Sequence, residues 1–593
     1  MERRQAVRHY VAAMLLLAAF GRLGVKLAAL HLGPNPWLRQ HMEETRVKTT
    51  PIKVGRGRIL DCNGRVLAMD VPRQQVIVNP SAIRKAGLET QIAAELARLL
   101  QLEPASLVGR LQGTAGQYAC IEPWASDETV SDIRRRKLKY VDFRPSFQRV
   151  YPAGRLAGHV IGFVSREDPA QGMAGIEHRM NRWLAGHDGL RRSEVDGGRQ
   201  EVYARRLLDI EPREGADVEL TLDAGLQELV ERTFDEMLPA TGADAGWVIV
   251  QEVRTGRILA MASRPDFDPA AYFEADENRF MNRPIGYLFE PGSTFKVAVI
   301  AAALDAGAVT PDREFDCEQG LWYYKGKSLR DYHPYGRLSV ADIVKKSSNI
   351  GAAKIALELG EERLESALRR FGFGRRSGID LPGEQSGLLW PRSRWTSISI
   401  TRIPMGHEVA VTSLQMLNAV CAIANDGFLM RPYVVQRVVD AEGRTLEATE
   451  PEVVSRPISA AGARLMCRLM ERVTEPGGTG ARAAVPGYRV SGKTGTAQKP
   501  LPGGGYSDTL NISSFVGVLP AENPVIGIIV VLDSPRGERT GGAAAGPIFS
   551  AIAREAVRRL GIPPDGRPRV IDPTIETATP PTPENSRDPR TAL

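Results

Sequence analysis

The chain has 593 residues, 43% of them hydrophobic and 25% charged, so it is long enough for several buried cores and most of it should fold. The net charge is only +7, and no dense stripe of Lys and Arg with interleaved aromatic residues occurs, so nucleic-acid binding has no support. The five cysteines form no C-x-x-C pair and lie near no His at metal-ligand spacing. We therefore expect no metal, no cofactor and no disulfide framework.

The N-terminus has the pattern of a membrane anchor. Three arginines within the first eight residues precede an uncharged stretch from His9 to Gly21, and the apolar character resumes up to Leu32. This pattern predicts a cytoplasmic tail at residues 1–8 and a single transmembrane anchor at 9–32. The rest of the chain would lie outside the cytoplasm, and the protein itself is expected in the inner (cytoplasmic) membrane. A cleavable signal peptide has the same basic and apolar regions and stays open as the alternative.

The next part of the chain, residues 46–215, is predicted to be a mixed α/β domain. It contains short β-rich runs such as Gln75–Val78 and helical stretches such as Ile92–Leu100. A new domain is predicted at 216–560, because an alternating strand pattern at Val218–Leu222 starts a second series of elements.

The domain at 216–560 is predicted to be an antiparallel sheet covered by helices. Two strands flanking Arg254-Thr255-Gly256 indicate a hairpin, and two further strands are predicted at Ser513–Leu519 and Val525–Leu532. A closing helix follows at Phe549–Leu560. Strands at both ends with helices between them indicate an α+β architecture. Residues 561–593 are rich in proline and predict a disordered tail.

Three motifs contain side chains that could take part in a reaction. The first is Ser293-Thr294-Phe295-Lys296, which follows Pro291-Gly292 and precedes an apolar run. The breakers predict a helix that starts at Ser293 or just after it, which places Ser293 and Lys296 on one helix face, one turn apart. A serine hydroxyl needs an adjacent base to act as a nucleophile, and a lysine near the positive end of a helix dipole favours its neutral form. Alone, the motif is more often an N-cap beside a solvated lysine.

The second motif, Ser347-Ser348-Asn349, lies in a break between predicted helices at Val340–Lys346 and Ile350–Leu359. Its hydroxyl and amide groups can relay a proton and hold an amide substrate. Alone, such a sequence is usually a helix cap.

The third motif, Lys493-Thr494-Gly495-Thr496, lies in a predicted strand at Tyr488–Gln498. Lys493 can offer a positive charge to a substrate carboxylate, and Gly495 leaves a bare backbone beside which an extended substrate can pair. Alone, the pattern is more often a turn with a solvated lysine. The three motifs occur once each and in the order that serine acyltransferases of this kind require, so together they favour one active site.

With these motifs, the chain resembles the class B penicillin-binding proteins, of the penicillin-recognising serine transferase superfamily, from the anchor to about Leu560. Other segments that carry the resemblance are Arg56–Ala68, close to the family signature R-G-x-I-x-D-R-N-G-x-x-L-A, Arg149–Pro152, Gly158–Gly162, Gly175–Glu177, Leu220–Asp223 and Ser514–Gly517. The resemblance implies that 46–215 is a non-catalytic pedestal of the dimerisation type and that 216–560 is a transpeptidase domain. The pedestal motifs resemble the division-specific branch.

The resemblance also implies a reaction. Ser293 would attack a D-Ala-D-Ala stem peptide, with Lys296 as its base and Ser347 and Asn349 completing the proton path. Lys493, Thr494, Gly495 and Thr496 would bind the substrate. An acceptor amine would then resolve the acyl-enzyme and cross-link peptidoglycan, and β-lactams would bind covalently. Because no segment resembles a glycan-polymerising domain, a polytopic membrane polymerase and other division proteins are expected partners.

Three alternatives stay open. A β-lactamase would share the acylation residues but needs a base for hydrolysis, and no carboxylate motif for one is evident. A D,D-carboxypeptidase or endopeptidase would pass the acyl group to water. A non-enzymatic β-lactam sensor or division scaffold would need no acceptor site. The histidines near recognisable segments, His159, His178, His333 and His407, are interpreted as structural because no carboxylate partner is evident.

Overall fold

The structure is a computed structural model that describes residues 2–32, 46–196, 200–501 and 503–565. The chain packs as two compact units. The smaller unit consists of the chain up to Gly55, Pro72–Phe147 and Gly186–Gly215, and the larger consists of Arg56–Val71, Gln148–Ala185 and the chain from Ala216 onward. Two segments of the predicted pedestal thus pack within the larger unit, and the domain limits 46–215 and 216–560 stay predictions. The predicted tail lies outside the described residues from 566 onward.

The N-terminal segment forms one continuous helix, Glu2–Leu32, and the limit between a cytoplasmic tail at 1–8 and an anchor at 9–32 stays a prediction. Its stretch Arg3–His31 is long and apolar enough to cross a membrane. A helix of this length extends about 45 Å, which exceeds the roughly 30 Å of a hydrocarbon core. The charged residues Arg22 and Lys26 can therefore lie near the end of the span rather than at its centre.

The smaller unit combines a three-stranded antiparallel sheet with short helices. The sheet has the strand order Val47–Ile52, Gly189–Val195, Glu201–Ile210. Its other elements are the helices Pro80–Lys85, Glu89–Leu100, Pro104–Gly113 and Asp127–Arg135, the strand Ala119–Ala125, and parts of the strands Val66–Val78 and Val141–Val150. Ile92 and Leu96 are buried on one face of their helix, as a 3.6-residue period requires.

The larger unit contains most of the secondary structure. Its helices are Gly158–Ile161, Gly175–Arg179, Asn181–Leu184, Ala224–Thr241, Arg283–Gly286, Lys296–Asp305, Val340–Lys346, Asn349–Leu359, Glu361–Arg370, Ser399–Arg402, Ser413–Ala424, Ala460–Glu471 and Gly541–Arg559. Its strands outside the main sheet are Ile59–Leu60, Asp217–Leu220, Glu314–Asp316, Leu321–Tyr324, Lys327–Arg330, Arg337–Ser339, Leu388–Leu389, Val409–Ala410, Leu429–Met430, Val435–Val439, Thr445–Ala448 and Val453–Ser455.

The centre of the larger unit is a five-stranded antiparallel sheet. Its strand order is Ile258–Arg264, Ala245–Glu252, Ile526–Asp533, Tyr506–Leu519, Ser491–Pro500. The predicted hairpin and the antiparallel sheet are confirmed. Because the third motif lies on the edge strand, only one side of that strand is used for pairing within the sheet.

Both faces of the main sheet are covered, so its strands are apolar on both sides rather than alternating. The helices Ala224–Thr241 and Gly541–Arg559 pack on one face, around Phe234 and Phe549. The apolar helix Lys296–Asp305 belongs to the core on the other side. Covering the sheet in this way confirms the predicted α+β architecture.

A buried ionic network connects three of the segments that carry the family resemblance, although they lie far apart in the sequence: Arg56–Ala68, Arg149–Pro152 and Gly175–Glu177. The Arg56 guanidinium donates to Oε2 of Glu177 at 2.6 Å, and that of Arg149 donates to Oε1 at 2.6 Å. The Glu177 side chain is 0% exposed, and Arg149 also donates to Asp70. A buried carboxylate between two guanidinium groups is stable only while both charges are balanced.

We expect Glu177→Gln to destabilise the larger unit by about 3 kcal/mol, because the neutral amide removes the charge that Arg56 and Arg149 share and leaves Arg149 with Asp70 alone. The measurement is the urea unfolding of the full-length protein followed by tryptophan fluorescence. Glu228→Gln is the matched control, since Glu228 is exposed and 3.7 Å from Arg65, and it should change stability by no more than about 0.5 kcal/mol. Equal effects of the two variants would contradict the assignment.

Candidate active site

The first motif forms a tight turn that leads into a buried helix. Gly292–Phe295 is a single 3₁₀ turn and the α-helix begins at Lys296, which confirms a helix start just after Ser293. Gly292 has φ +57°, and a Cβ there would lie 2.9 Å from the carbonyl oxygen of Thr496. Only glycine combines this backbone conformation with so close an approach.

The Lys296 amine lies in a cage of oxygen atoms. Its Nζ is 3.0 Å from Oγ of Ser293, 2.6 Å from the carbonyl oxygen of Ser347 and 2.7 Å from Oδ1 of Asn349. The amide orientation of Asn349 is set by its Nδ2, which donates to the carbonyl oxygen of Arg330 at 2.8 Å. Because residues 297–304 of its helix are apolar and buried, Lys296 is drawn into the interior and is only 1% exposed.

Burial lowers the pKa of Lys296 to about 7, while the nearby charge of Asp331 opposes the shift. The sequence predicts a neutral amine from the helix dipole, whereas the main cause of the lowered pKa in the structure is the loss of water around Lys296. The carbonyl oxygen of Ser347 and Oδ1 of Asn349 can only accept hydrogen bonds. A neutral amine donates to these two atoms and keeps its lone pair for a hydroxyl proton. Lys296 can therefore act as the base for Ser293.

The three consecutive residues of the second motif have different roles in the structure. The helix Val340–Lys346 ends at Ser347, which takes the left-handed conformation with φ +62°. The Oγ of Ser347 lies 3.2 Å from Nζ of Lys296 and 2.9 Å from Nζ of Lys493. Ser348 caps the next helix by accepting from the backbone N–H of Gly351. Ser347 and Asn349 thus point into the site, and Ser348 has the capping role that the motif alone suggests.

The carboxylate of Asp331 accepts hydrogen bonds from the second motif, and it was not predicted from the sequence. Asp331 accepts from Oγ of Ser348 at 2.6 Å, from the backbone N–H of Ile350 at 3.1 Å and from the backbone N–H of Asn349. A carboxylate at a helix N-terminus satisfies free N–H groups there. Asp331 is 18 residues before Asn349, so no capping pattern within one stretch of sequence could identify it.

The third motif places a second buried amine beside the first. Lys493 is 0% exposed, and its Nζ donates to Oγ of Ser347 and to the carbonyl oxygen of Thr494 at 3.2 Å. Burial, followed by the charge of Lys296, holds the pKa of Lys493 well below its usual value. The Oγ1 of Thr494 is 2.9 Å from that of Thr479. The three motifs therefore meet within one hydrogen-bonded group.

Gly495 allows the edge strand to pass close to the nucleophile turn. A Cβ at this position would lie 2.4 Å from Oγ of Ser514, 2.9 Å from Cγ2 of Thr294 and 3.1 Å from the carbonyl oxygen of Pro291. Real Cβ atoms essentially never approach other atoms as closely as the first two of these distances, so an added side chain would force a shift. The bare backbone at Gly495 thus serves the packing of strand against turn.

The closing helix begins at Gly541, earlier than the predicted start at Phe549. Its first turn is rich in glycine, a composition that usually predicts a break in the chain. In the structure these glycines serve close packing, because a Cβ at Gly541 would lie 2.2 Å from the carbonyl oxygens of Gly495 and Ser514. The glycines allow the helix to abut the edge of the sheet. The N–H of Gly541 donates to Oγ1 of Thr496 at 3.0 Å, which orients a side chain that is otherwise exposed.

The four histidines differ in their surroundings. His159 is buried and its Nε2 contacts the carbonyl oxygen of Arg279, and burial lowers its pKa to about 4. His178 contacts a backbone carbonyl, and His333 is exposed. The expectation that none has a carboxylate partner is wrong for His407, whose Nδ1 is 3.1 Å from Oε2 of Glu290.

The group of side chains around Ser293 has the parts of a nucleophilic acyl transfer. A hydroxyl lies beside a neutral amine, a second hydroxyl links that amine to another, and an edge strand runs past both. Within residues 2–32, 46–196, 200–501 and 503–565, no group of three or more His, Cys, Asp or Glu side chains is placed to hold a metal ion.

The chain is similar to known proteins over most of its length. Residues 246–554 match the penicillin binding protein transpeptidase domain, and residues 51–220 match the penicillin-binding protein dimerisation domain. The peptidoglycan D,D-transpeptidase FtsI of Escherichia coli K12 is 30% identical over 93% of this chain and 91% of its own length. The probable peptidoglycan D,D-transpeptidase PenA of Neisseria meningitidis is 32% identical over 89% of this chain and 88% of its own length.

A solved structure is similar over most of the chain. Penicillin binding protein 3 of Mycobacterium tuberculosis, in complex with aztreonam, has a TM-score of 0.68 and 27% identity. The similarity covers 88% of this chain and 99% of that one. The fold is therefore shared over both units.

The rate of acylation of Ser293 by a β-lactam should fall as the pH drops through about 7. Lys296 can accept the hydroxyl proton only while it is neutral, so the rate should be at its plateau above its pKa of about 7. One pH unit below that value, the rate should be about a tenth of the plateau. The measurement is the second-order rate constant of labelling by a fluorescent penicillin. A rate that does not change over this range would contradict the role of Lys296.

Gly495→Ala should reduce the acylation rate by about a hundredfold or more, because the added methyl group forces the edge strand away from Thr294 and Pro291. The same assay measures the effect. Gly503→Ala is the matched control, since a Cβ at Gly503 meets no atom within 4 Å and should leave the rate within about twofold. Similar losses in both variants would show that the close approach at Gly495 is not needed.

Proposed function

The chain belongs to the penicillin-binding protein transpeptidases, and on this premise we propose that it cross-links peptidoglycan by acyl transfer through Ser293. The observation that carries the assignment of residues is the contact of 3.0 Å between Oγ of Ser293 and a buried amine whose pKa is about 7. A neutral base at this distance can remove the hydroxyl proton as the serine attacks a carbonyl carbon.

The acylation step starts from a D-Ala-D-Ala stem peptide. Its terminal carboxylate binds at Lys493 and Thr494, and this negative charge raises the pKa of Lys493 so that the lysine is charged when substrate is present. Ser293 attacks the penultimate carbonyl carbon and its proton moves to Lys296. The backbone N–H groups of Ser293 and Thr496 stabilise the oxyanion.

The leaving group then receives a proton. Oγ of Ser347 lies between the two amines and passes a proton from Lys296 to the nitrogen of the departing D-Ala, while Asn349 holds Lys296 in place. The C–N bond of the peptide breaks, and an ester to Ser293 remains. In a β-lactam the leaving nitrogen stays tethered to the acyl group, so the reaction stops at this ester.

The transfer step uses the same residues in reverse. An amine of a neighbouring stem peptide attacks the ester carbon, and its proton passes to Lys296. The C–O bond breaks as Oγ of Ser293 takes a proton back from Lys296. The product is a new amide that links two peptidoglycan strands.

The protein is a single-pass membrane protein with its helix Glu2–Leu32 as the candidate span. We propose that its N-terminus is cytoplasmic, that the catalytic domain lies outside the inner membrane, and that residues 46–215 act as a non-catalytic pedestal. The Tyr-Pro-x-Gly pattern at Tyr151–Gly154 and Gly-Ile-Glu at Gly175–Glu177 favour a role in septal synthesis. A polytopic membrane polymerase would supply the glycan, with other division proteins as further partners.

A fluorescent penicillin should label the full-length protein in detergent, and Ser293→Ala should abolish the label because the variant has no nucleophile. Ser386→Ala is the control: its hydroxyl is exposed and donates to the carbonyl oxygen of Gly387, so labelling should persist. Absence of label on the wild-type protein would refute the assignment.

The fate of the label separates the remaining activities. A transpeptidase should keep the label for hours and cross-link lipid-linked polymer when a polymerase is added. Loss of the label within minutes would instead indicate a β-lactamase. A stable label would indicate a carboxypeptidase if the protein hydrolyses a stem peptide with release of D-Ala and forms no cross-links.

A further inference from the structure

The chain between the first two motifs carries a concentration of aromatic side chains that the mechanism above does not use. The strands Leu321–Tyr324 and Lys327–Arg330 form a hairpin, and a loop at 331–336 follows it. The hairpin and the loop together contain six aromatic side chains, namely Trp322, Tyr323, Tyr324, Tyr332, His333 and Tyr335. We call residues 321–336 the aromatic platform.

The hairpin has one buried and one exposed face. Trp322 pairs with Leu329 across the two strands, and both side chains belong to the same apolar cluster, in which Leu329 is buried. Successive side chains of a strand point to opposite faces, so Tyr323 lies on the outer face with its cross-strand partner Ser328. Tyr323 is 67% exposed. The buried face therefore holds the hairpin in place while the outer ring stays open to solvent.

The loop packs against the start of the hairpin and presents a second open ring, that of Tyr332, which is 82% exposed. Gly320 has φ +84°, and a Cβ there would lie 2.9 Å from Cα of Pro334 and 3.0 Å from the carbonyl oxygen of His333. The backbone N–H of Asp331 donates to the carbonyl oxygen of Gly320 at 3.1 Å. Because these contacts join backbone to backbone, the hairpin and the loop form one preorganised surface.

The aromatic platform borders the active site. The carbonyl oxygen of Arg330, the last residue of the hairpin, accepts from Nδ2 of Asn349 at 2.8 Å. Oδ1 of the same Asn349 is 2.7 Å from Nζ of Lys296, so one side chain connects the platform to the base. A stem peptide of about five residues extends at most about 18 Å, and the sugar that carries it lies within that distance of Ser293. The sugars beside a reacting stem peptide can therefore reach the platform.

The chemistry of the aromatic platform matches that of a sugar. The face of an aromatic ring carries partial negative charge and attracts the C–H groups that cover one face of a pyranose ring. Within the described part of the chain, the hydroxyl groups of the four platform tyrosines make no hydrogen bond. Each can therefore donate to or accept from the hydroxyl groups at the edge of a sugar. An apolar face with free hydroxyl groups at its edge is the complement of a pyranose.

The charges of the hairpin narrow the choice of partner. It carries Lys325, Lys327 and Arg330 and no acidic residue, so a basic partner is disfavoured. A glycan strand is not repelled by these cations, and its stem peptides end in carboxylates that they attract. An anionic membrane surface also attracts aromatic and cationic side chains. The hydrogen bond from Asn349 to Arg330 favours the glycan, because it places the platform where the polymer reacts.

We propose that the aromatic platform is a subsite for the sugar units of the peptidoglycan strand, next to the stem peptide that reacts at Ser293. The rings of Tyr323 and Tyr332 stack on pyranose faces, and their hydroxyl groups form hydrogen bonds with the sugars. This inference rests on the proposed function, since it takes the peptidoglycan polymer as the substrate. It gives the protein an affinity for the glycan that does not depend on the peptide.

Binding of peptide-free glycan strands tests the proposal. Strands released from peptidoglycan by an amidase keep the sugars and have no stem peptide. Their dissociation constant is measured with the full-length protein in detergent, by fluorescence anisotropy of end-labelled strands. Tyr323→Ala and Tyr332→Ala should each weaken binding by about tenfold, because a stacked ring is lost. Tyr332→Trp keeps an aromatic face and should bind within about twofold of the wild type.

The matched control is Tyr203→Ala, because Tyr203 is 75% exposed and lies on the strand Glu201–Ile210 of the smaller unit. This variant should bind the strands as the wild type does. Penicillin has no sugar, so labelling of Ser293 checks that each variant keeps an intact active site. If Tyr332→Ala is not labelled, Tyr323→Ala decides the test.

Two results would overturn the proposal while penicillin labels the wild type. One is a wild-type protein that does not bind the strands, or that binds them no better than Tyr323→Ala does. The other is binding to phosphatidylglycerol vesicles that depends on the two tyrosines, with no binding to glycan strands. If penicillin does not label the wild type, the proposed function fails and this inference with it.

Discussion

Lys296 is the first residue of a helix whose residues 297–304 are apolar and buried, and this placement removes water from its amine. In water the amine would be charged and could not accept a proton. Inside the protein its pKa is about 7, and carbonyl oxygens of Ser347 and Asn349 take its hydrogens. The chemistry assigned to Ser293 depends on this balance, because the same burial that supplies the base also costs stability, which the surrounding core must offset.

Close backbone contacts hold the rest of the site around that amine. At Gly292 and Gly541 a Cβ would collide with backbone oxygens of the edge strand, and at Gly495 it would collide with the side chains of Ser514 and Thr294. The three glycines thus allow turn, strand and helix to pack at van der Waals distance. The left-handed Ser347 then places its hydroxyl between two lysines. The site is therefore held by close backbone contacts together with the side-chain hydrogen bonds of Lys296, Ser347 and Lys493.

Much of this arrangement could be predicted from the sequence, because each motif contains reactive side chains and also lies at a recognisable point of the secondary structure. The break before Ser293, the gap between helices at Ser347 and the strand around Lys493 are visible in short windows, and the structure brings them together. Asp331 and the pair of Glu290 with His407 were missed, since their partners are 18 and 117 residues away and no local pattern links them. The start of the last helix was placed too late, because glycines that serve close packing resemble a chain break.

The interleaving of the two units bears on how this protein can evolve. The segments Arg56–Val71 and Gln148–Ala185 belong to the larger unit, although the chain around them belongs to the smaller one. Ile59–Leu60 adds a parallel strand beside Asp217–Leu220, and Glu177 neutralises two arginines in the same unit. Recombination that joined a foreign sequence at residue 216 would delete both features. A recombinant that kept only the chain from residue 216 onward would therefore lack part of the larger unit.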